Sequence, residues 1–555
     1  MRTDRAVDVV LLVILALSAG LGAWQLDWGL PNGNLSWAAD ALGPVTVLGI
    51  VRRSVGAWNS GWFYFKYPLG YPLVLLAVYS PYLVLQVLSG DFRDPRGAYP
   101  YGFADPERAL FVLALLGRVL SVAAITATVA LTYGIGRRLC DRVAALFAAG
   151  FAATAYPFVY YAHTTNLDAM YVFWLILALW SAVVVAQESG RVWAWALLGV
   201  SAAMAVSTKE QGFAFLLPLP VLAVAGVLRP HGGTRLGWRA ALGGMWNRGP
   251  LTMAAAAIGT ALVANNVLLN PAGFVRRILY LGGRQVPGVS ARLAPVEFGL
   301  FKGVAKEREY VGQLLDALES SVGWPLLAVA AVGALWLVWR RRPAAAVLLL
   351  PALVHYCVSL RTLDLITLRY TLPLLVVAAV CAGAVCADAV RSSWRRTALV
   401  PVVCLSLFGL ARAVEVDLLL RDDSRYQAEA WLASHAPPSS TVEIYQKPTY
   451  LPRLAGLTVR AVPLPQRTVA GLAQRHPDFI VVSSASKRSI THRWNPDWRE
   501  GRALLVGEPG AVEFLRALEG GALAYRPVAT FRQTPRLLRL RINSLCPQIT
   551  VFARG

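Results

Sequence analysis

Charge is scarce in this chain. Asp, Glu, Lys and Arg make up 15% of its 555 residues, and 56% are hydrophobic. A soluble domain carries about 25% charge, so a disordered, collagen-like or ordinary cytosolic chain is excluded. Acidic residues are rarer still, 31 against 53 basic ones, for a formal charge of +22. Nucleic acid would be the expected partner if the basic residues formed one patch. They do not, and nucleic acid is excluded as a partner. The six cysteines (Cys140, Cys357, Cys381, Cys386, Cys404, Cys546) form no CxxC pair and have no His at metal spacing. They read as small buried hydrophobes. No internal repeat is found.

What is there is a succession of long apolar runs, each able to cross about 30 Å of hydrocarbon. Eleven spans are predicted, at 8–26, 109–136, 143–161, 168–187, 193–208, 212–228, 251–269, 324–339, 344–360, 371–390 and 398–414. The first follows Arg2 and Arg5 without a small-residue cleavage site and is expected to be a retained helix. The basic clusters fall between spans: Arg2 and Arg5; Arg137, Arg138 and Arg142; Arg191; Arg229, Arg235, Arg239 and Arg248; Arg340 to Arg342; Arg391, Arg395 and Arg396. Placing all of them in the cytoplasm satisfies the charge rule. It makes 27–108 one external region, so the apolar stretch 68–89, with Pro68, Pro72 and Pro81, is expected to re-enter or lie at the interface.

The tail differs. Residues 415–555 combine a helical run from Tyr426 to Ala436, strand-like runs at Thr441–Tyr445 and Phe479–Ser483, and a helix start at 508–518 with Pro509 in its first turn. A small extracytoplasmic α/β domain is expected, without a Gly-rich phosphate loop. The fold class is thus a polytopic all-α membrane domain over 1–414, with external loop 27–108, followed by an α/β domain over 415–555.

On this topology the chemistry lies outside. In "LDWGLPNGNLSWAADALGP" (26–44), Asp40 is the candidate carboxylate and Asp27 a weaker one. "GWFYFKYPLGYP" (61–72) sets Lys66 among interfacial aromatics that include Tyr64, where a lysine meets lipid phosphate. His163, Asn166 and Asp168 share one very short external turn. Ionisable residues there are functional candidates because their desolvation must be offset, although Asp168 also suits a helix N-terminus. Lys209 and Glu210 are either a mutually neutralised pair or a phosphate contact. Arg361 and Arg369 depart from the charge rule, with Tyr370 and Pro373 beside them. Arginine makes bidentate contacts with phosphate oxygens, and Asp364 is the alternative partner of Arg361. Such a set of groups suits deprotonation of an acceptor hydroxyl and stabilisation of a leaving phosphate.

At these residues the chain resembles the GT-C glycosyltransferases of the protein-mannosyltransferase and aminoarabinose-transferase superfamily, over roughly residues 8–414. "WGLP" (28–31) precedes Asp40 as a Gly-Leu-Pro stretch precedes the family's acidic pair, but position 41 is alanine. "FKYPLGYP" resembles its interface segment, Asp168 takes the place of its second acidic residue, and Arg369, Tyr370 and Pro373 match its "R-Y-x-x-P" signature. The resemblance implies inverting transfer of a monosaccharide from a polyprenyl phosphate to an external protein, lipid or polysaccharide acceptor. Asp40 would be the general base, with Asp168 a second catalytic residue. Lys66, Lys209, Arg361, Arg369 and Tyr370 would hold the donor phosphate, and His163, Asn166 and Tyr64 would touch a sugar. A divalent metal ion is left open. A lipid-linked-sugar flippase and a glycan polymerase or ligase are the alternatives. High Ala, Gly, Arg and Pro point to the plasma membrane of a prokaryote.

Overall fold

The computed structural model describes residues 2–31, 36–38, 40–226, 246–289, 303–363, 366–393, 395–484, 509–538, 540 and 545–555. Arg229, Arg235, Arg239, Asp364 and Glu508 lie outside the described residues. By its contacts the chain forms two units, one of 1–26 with 42–413 and the other of 27–41 with 414–555.

The first unit is helical. Its early elements are α1 (Arg2–Ala23), α2 (Pro44–Val55), α3 (Gly70–Ser89), α4 (Pro106–Leu139), α5 (Arg142–Ala153), α6 (Tyr156–Ala162), α7 (Leu167–Gln187) and α8 (Val192–Thr208). Among the described residues seven helices are long and apolar enough to cross a membrane, and α5 with α6 makes an eighth candidate bent by 57°. Val7–Ala23, Val192–Thr208, Gly212–Val224 and Arg248–Ala264 are shorter apolar helices. Each of the eleven predicted spans therefore falls on a helix or a bent pair, and the chain is a multi-pass membrane protein.

Local chemistry sets the ends of these helices. Asp105 caps α4 by accepting from Arg108 N at 3.0 Å, with Pro106 at the first helical position. Asp141 caps α5 through Val143 N and Ala144 N, at 2.9 and 3.0 Å. Helix Val304–Arg340 breaks at Gly323, where φ is +80°, two residues before Pro325. The break divides a polar first half from the apolar span predicted at 324–339. Close crossings use residues without side chains. A Cβ on Gly333 would run into Cys381 O, one on Gly383 into Ala144 O and one on Gly199 into Met253 O.

The loops sort to two ends of this unit. At one end Arg138 bonds Gln187 and Glu188 at 2.9 and 3.0 Å, Arg341 donates to Leu139 O and Cys140 O at 3.2 Å, and Arg391 pairs with Asp141 at 2.9 Å. These are loops that the charge rule assigns to the cytoplasm. The other end gathers segments near 61–67, 163–171, 207–211, 265–277, 304–313 and 355–370. Asn265 donates to Ser207 Oγ at 2.8 Å, Asn266 to Ser54 O at 2.7 Å and Asn270 to Trp62 O at 2.7 Å.

Helix α3 is an unbroken helix in spite of Pro81, where irregular backbone was expected. It packs against α2, the first part of α4 and the end of α8. Gly70 lies against Ser207 O, whereas Leu75 and Tyr79 lie against Gly117, which also meets Thr165. By length and composition α3 is itself one of the helices able to cross a membrane.

The second unit has a five-stranded sheet of β1 (Thr441–Ile444), β2 (Thr458–Ala461), β3 (Phe479–Ser483), β4 (Tyr525–Phe531) and β5 (Ile549–Arg554), in the order β2-β1-β3-β5-β4. β1 pairs parallel with β2 and β3, and β5 pairs antiparallel with β3 and β4. Side chains alternate between the faces of a strand. Ile480 and Val482 pack with Phe514 and Leu518 of helix Pro509–Glu519, whereas Val481 packs with Ala428 and Leu432 of helix Ser424–His435. The expected small α/β domain is present.

Candidate active site

Asp168 is the second residue of α7, whose first turn is capped by Asn166, the side chain of which accepts from Asp168 N at 3.4 Å. A carboxylate at a helix N-terminus is favoured by the exposed amides and the helix dipole. It is almost fully buried all the same, at 1% exposure, and a buried charge needs a partner. That partner is Lys209, at the C-terminal end of α8, whose Nζ donates to Asp168 Oδ1 at 2.6 Å. Lys209 also lies over two rings, 4.4 Å from the centroid of Tyr370 and 5.2 Å from that of Tyr171. Such cation–π contacts favour a cation with little hydration.

A second cation joins this group. Arg369 lies 4.9 Å from the Tyr370 ring and donates to its hydroxyl at 2.9 Å, with both residues half-buried. His355 Nε2 is 3.2 Å from Tyr370 O. Several buried polar atoms close by lack a hydrogen-bond partner among the described residues, including Asp168 Oδ2, Thr208 Oγ1, Gln211 Oε1 and His355 Nδ1. A carboxylate, two cations and two phenol rings thus stand beside polar atoms whose bonding is incomplete. The arrangement can hold an anion and accept a hydrogen bond from a hydroxyl.

Lys209 and Glu210, read from the sequence either as a neutralised pair or with Lys209 as a phosphate contact, turn to different partners. Glu210 pairs with Arg277, which also donates to Tyr64 O. Arg361 is held by Glu307. Lys66 is exposed, 5.4 Å from the Tyr67 ring, and Tyr64 is half-buried with its ring 6.1 Å from Phe65. His163 is fully buried, its Nδ1 2.8 Å from Val159 O and its Nε2 2.5 Å from Trp24 O. Both its nitrogens lie near carbonyl oxygens, and the ring links the end of α1 to α6. Among the described residues no three His, Cys, Asp or Glu side chains converge as metal ligands.

Asp40 belongs to the second unit. Its φ is +61°, a left-handed conformation that Asp and Asn tolerate better than most residues. Its charge, after burial, raises the phenol pKa of Tyr450. Tyr171, Arg277 and His355 were missed in the sequence. Arg277 carries a signal that was available, since it is a further arginine in the 270–323 region that the charge rule assigns to the outside.

Residues 113–245 match the family model described as dolichyl-phosphate-mannose-protein mannosyltransferase. The resemblance to the GT-C superfamily is borne out by this match, and the matched stretch carries Asp168, Tyr171 and Lys209. No curated protein sequence matches the chain. Among solved structures the chain is similar to ArnT from Cupriavidus metallidurans in the apo state, at 13% identity and TM-score 0.48, covering 100% of this chain and 98% of that one. It is similar to the Archaeoglobus fulgidus oligosaccharyltransferase tethered with an acceptor peptide, at 11% identity and TM-score 0.45, covering 88% and 71%. The third is the arabinofuranosyltransferase AftD from Mycobacteria, at 15% identity and TM-score 0.40, covering 99% and 41%.

Proposed function

We propose that this protein is an inverting membrane glycosyltransferase. It moves a monosaccharide from a polyprenyl-phosphate donor to an acceptor hydroxyl or amide on the extracytoplasmic side of a prokaryotic plasma membrane. The observation that carries the reading is the buried Asp168–Lys209 pair, framed by Tyr171, Tyr370 and Arg369 within the stretch matched by the family model. The chemistry divides among these groups. The carboxylate of Asp40 takes the proton of the acceptor, which attacks the anomeric carbon from the face opposite the lipid phosphate. The bond to the phosphate oxygen breaks, and the developing negative charge is met by cations. Arg369, beside the Tyr370 ring, and Lys66, exposed beside the Tyr67 ring, are the leading phosphate-binding candidates. Lys209 and Arg361 contribute after Asp168 and Glu307 have offset part of their charge. Asp168 orients Lys209, and its Oδ2 accepts from a substrate hydroxyl. Tyr64, His163 and Asn166 line the sugar side of this reading, with His163 and Asn166 acting through the turn they fix.

The test uses the full chain in proteoliposomes with radiolabelled polyprenyl-phosphate mannose or arabinose and a membrane extract as acceptor. Transfer of label with release of polyprenyl phosphate, lost in Asp40→Asn, supports the reading. Movement of intact lipid-linked sugar between leaflets without release of polyprenyl phosphate would replace it with the flippase.

A further inference from the structure

The segment that carries Asp40 is held by the second unit through charge and aromatic faces, although apolar cover alone would suffice to bury it. Trp28 and Trp37 are both fully buried, their rings 6.2 Å apart edge to face. The Arg425 guanidinium lies 4.3 Å from the Trp37 ring and 5.3 Å from that of Trp28. Arg453 lies 5.3 Å from Trp37 on its own account, and the Tyr426 ring meets Trp37 at 4.8 Å. Both guanidinium groups are themselves fixed. Asp423 takes Arg425 through two bonds, at 2.9 and 2.7 Å, and Glu429 takes Arg453 through two more, at 2.8 and 2.5 Å.

The backbone of the segment is gripped as well. Arg453 Nη1 donates to Leu30 O at 2.9 Å, Gly29 N donates to Tyr426 Oη at 2.8 Å, and Trp28 Nε1 donates to Asp423 Oδ2 at 3.2 Å. Gly29 has a φ of +70° and touches the Trp37 ring, where a Cβ would come within 2.9 Å. Arg425 and Asp423 are wholly buried, and placing charge there carries a desolvation penalty that apolar residues would avoid. What stacked, bidentate arginines add is a fixed orientation. The residue three positions after Trp37 is Asp40, held in its left-handed conformation. Backbone in such a region persists where its surroundings over-determine it.

We propose that the C-terminal sheet domain is a positioning device for Asp40, with Arg453 as the positioning residue acting through Trp37 and the carbonyl of Leu30. This rests on Asp40 being the base. It assigns the domain a part in the reaction itself, in place of a passive cover. Arg453 is the residue to change because its side chain is 26% exposed, so its loss disturbs the interior less than loss of Arg425.

The experiment compares wild type, Arg453→Ala and Arg453→Lys in the full-length protein. It reads amide hydrogen exchange at Trp37 to Leu42 and at β3, together with kcat and KM for radiolabelled polyprenyl-phosphate mannose or arabinose, whichever the wild type turns over. In Arg453→Ala, exchange at Trp37 to Leu42 rises at least tenfold while β3 is unchanged. kcat falls at least tenfold with KM constant, and Arg453→Lys recovers part of both. Unchanged exchange at Trp37 to Leu42 overturns the proposal. So does an intact kcat beside a loosened segment, or exchange rising equally in β3, which marks general destabilisation. A wild type that turns over neither donor defeats the functional reading instead, and exchange alone then decides whether Arg453 holds the segment.

Discussion

Lys209 Nζ stands 2.6 Å from Asp168 Oδ1, across 41 residues of sequence, with side-chain exposures of 4% and 1%. Neither charge could occupy that site alone, because a buried ion needs compensation beyond what the low-dielectric interior provides. The ring of Tyr370 adds to the compensation of the cation. On the anion, Oδ2 still accepts no hydrogen bond among the described residues. The pair is therefore compensated as a unit and retains one carboxylate oxygen able to accept a further hydrogen bond.

Breaking the pair from one side should cost more than replacing both members. Lys209→Met alone is expected to destabilise the protein by about 3–5 kcal/mol, and the double variant with Asp168→Leu by much less. Thermal unfolding in detergent, arranged as a double-mutant cycle, measures the coupling. Transfer activity should stay lost in the double variant even where stability returns.

Asp40→Asn keeps a residue that tolerates positive φ and removes only the charge. Its kcat should fall by about 10²–10⁴-fold, the usual contribution of a general base, with the unfolding midpoint unchanged. Asp40→Ala should lose both activity and stability, since alanine is less at ease in this conformation. Radiolabel transfer and thermal unfolding separate the two.

Arg369 and Arg361 should behave differently when each is changed to Gln. Arg369 bonds to the Tyr370 hydroxyl, and its loss should raise KM for a polyprenyl-phosphate donor about tenfold, roughly one charge-assisted hydrogen bond. Arg361 is bound to Glu307. Its loss leaves a partly buried carboxylate without its arginine and should cost about 1–3 kcal/mol of stability. Initial-rate kinetics beside unfolding curves distinguish the two roles.

Gly333 should not tolerate a side chain. A Cβ would run into Cys381 O, where helix Val304–Arg340 crosses helix Leu368–Arg391. Gly333→Leu should destabilise by about 1–3 kcal/mol or more through overpacking. Loss of monodisperse protein on size-exclusion chromatography, or a lowered unfolding midpoint, would show it.

Much of the architecture was legible in the sequence because hydrophobicity alone decides it. Runs long enough to cross hydrocarbon became helices, and the scattered arginines sorted their ends: Arg138, Arg341 and Arg391 meet at one end, as the charge rule requires. The strand-like runs 441–445 and 479–483 became β1 and β3 because short runs rich in β-branched and aromatic residues are a local signal. The candidates Asp168, Lys209, Arg369 and Tyr370 were also legible, as ionisable and aromatic residues in places that tolerate few of them.

Their partnerships were not legible. Lys209 and Glu210 are neighbours in sequence, but successive residues leave a helix end in different directions, so one meets Asp168 and the other Arg277. His163 lies near two carbonyl oxygens, Val159 O and Trp24 O, that its sequence neighbourhood did not single out. Asp40 lay in the loop that follows the first span, and only folding joined that loop to Arg425 and Arg453, through contacts 388 and 423 residues apart in sequence. Composition and periodicity determined that this chain is a membrane protein with a small sheet domain and where its charges could be. Tertiary structure alone decided which charges pair and which aromatic rings hold them, because those contacts join residues whose separation in sequence carries no signal.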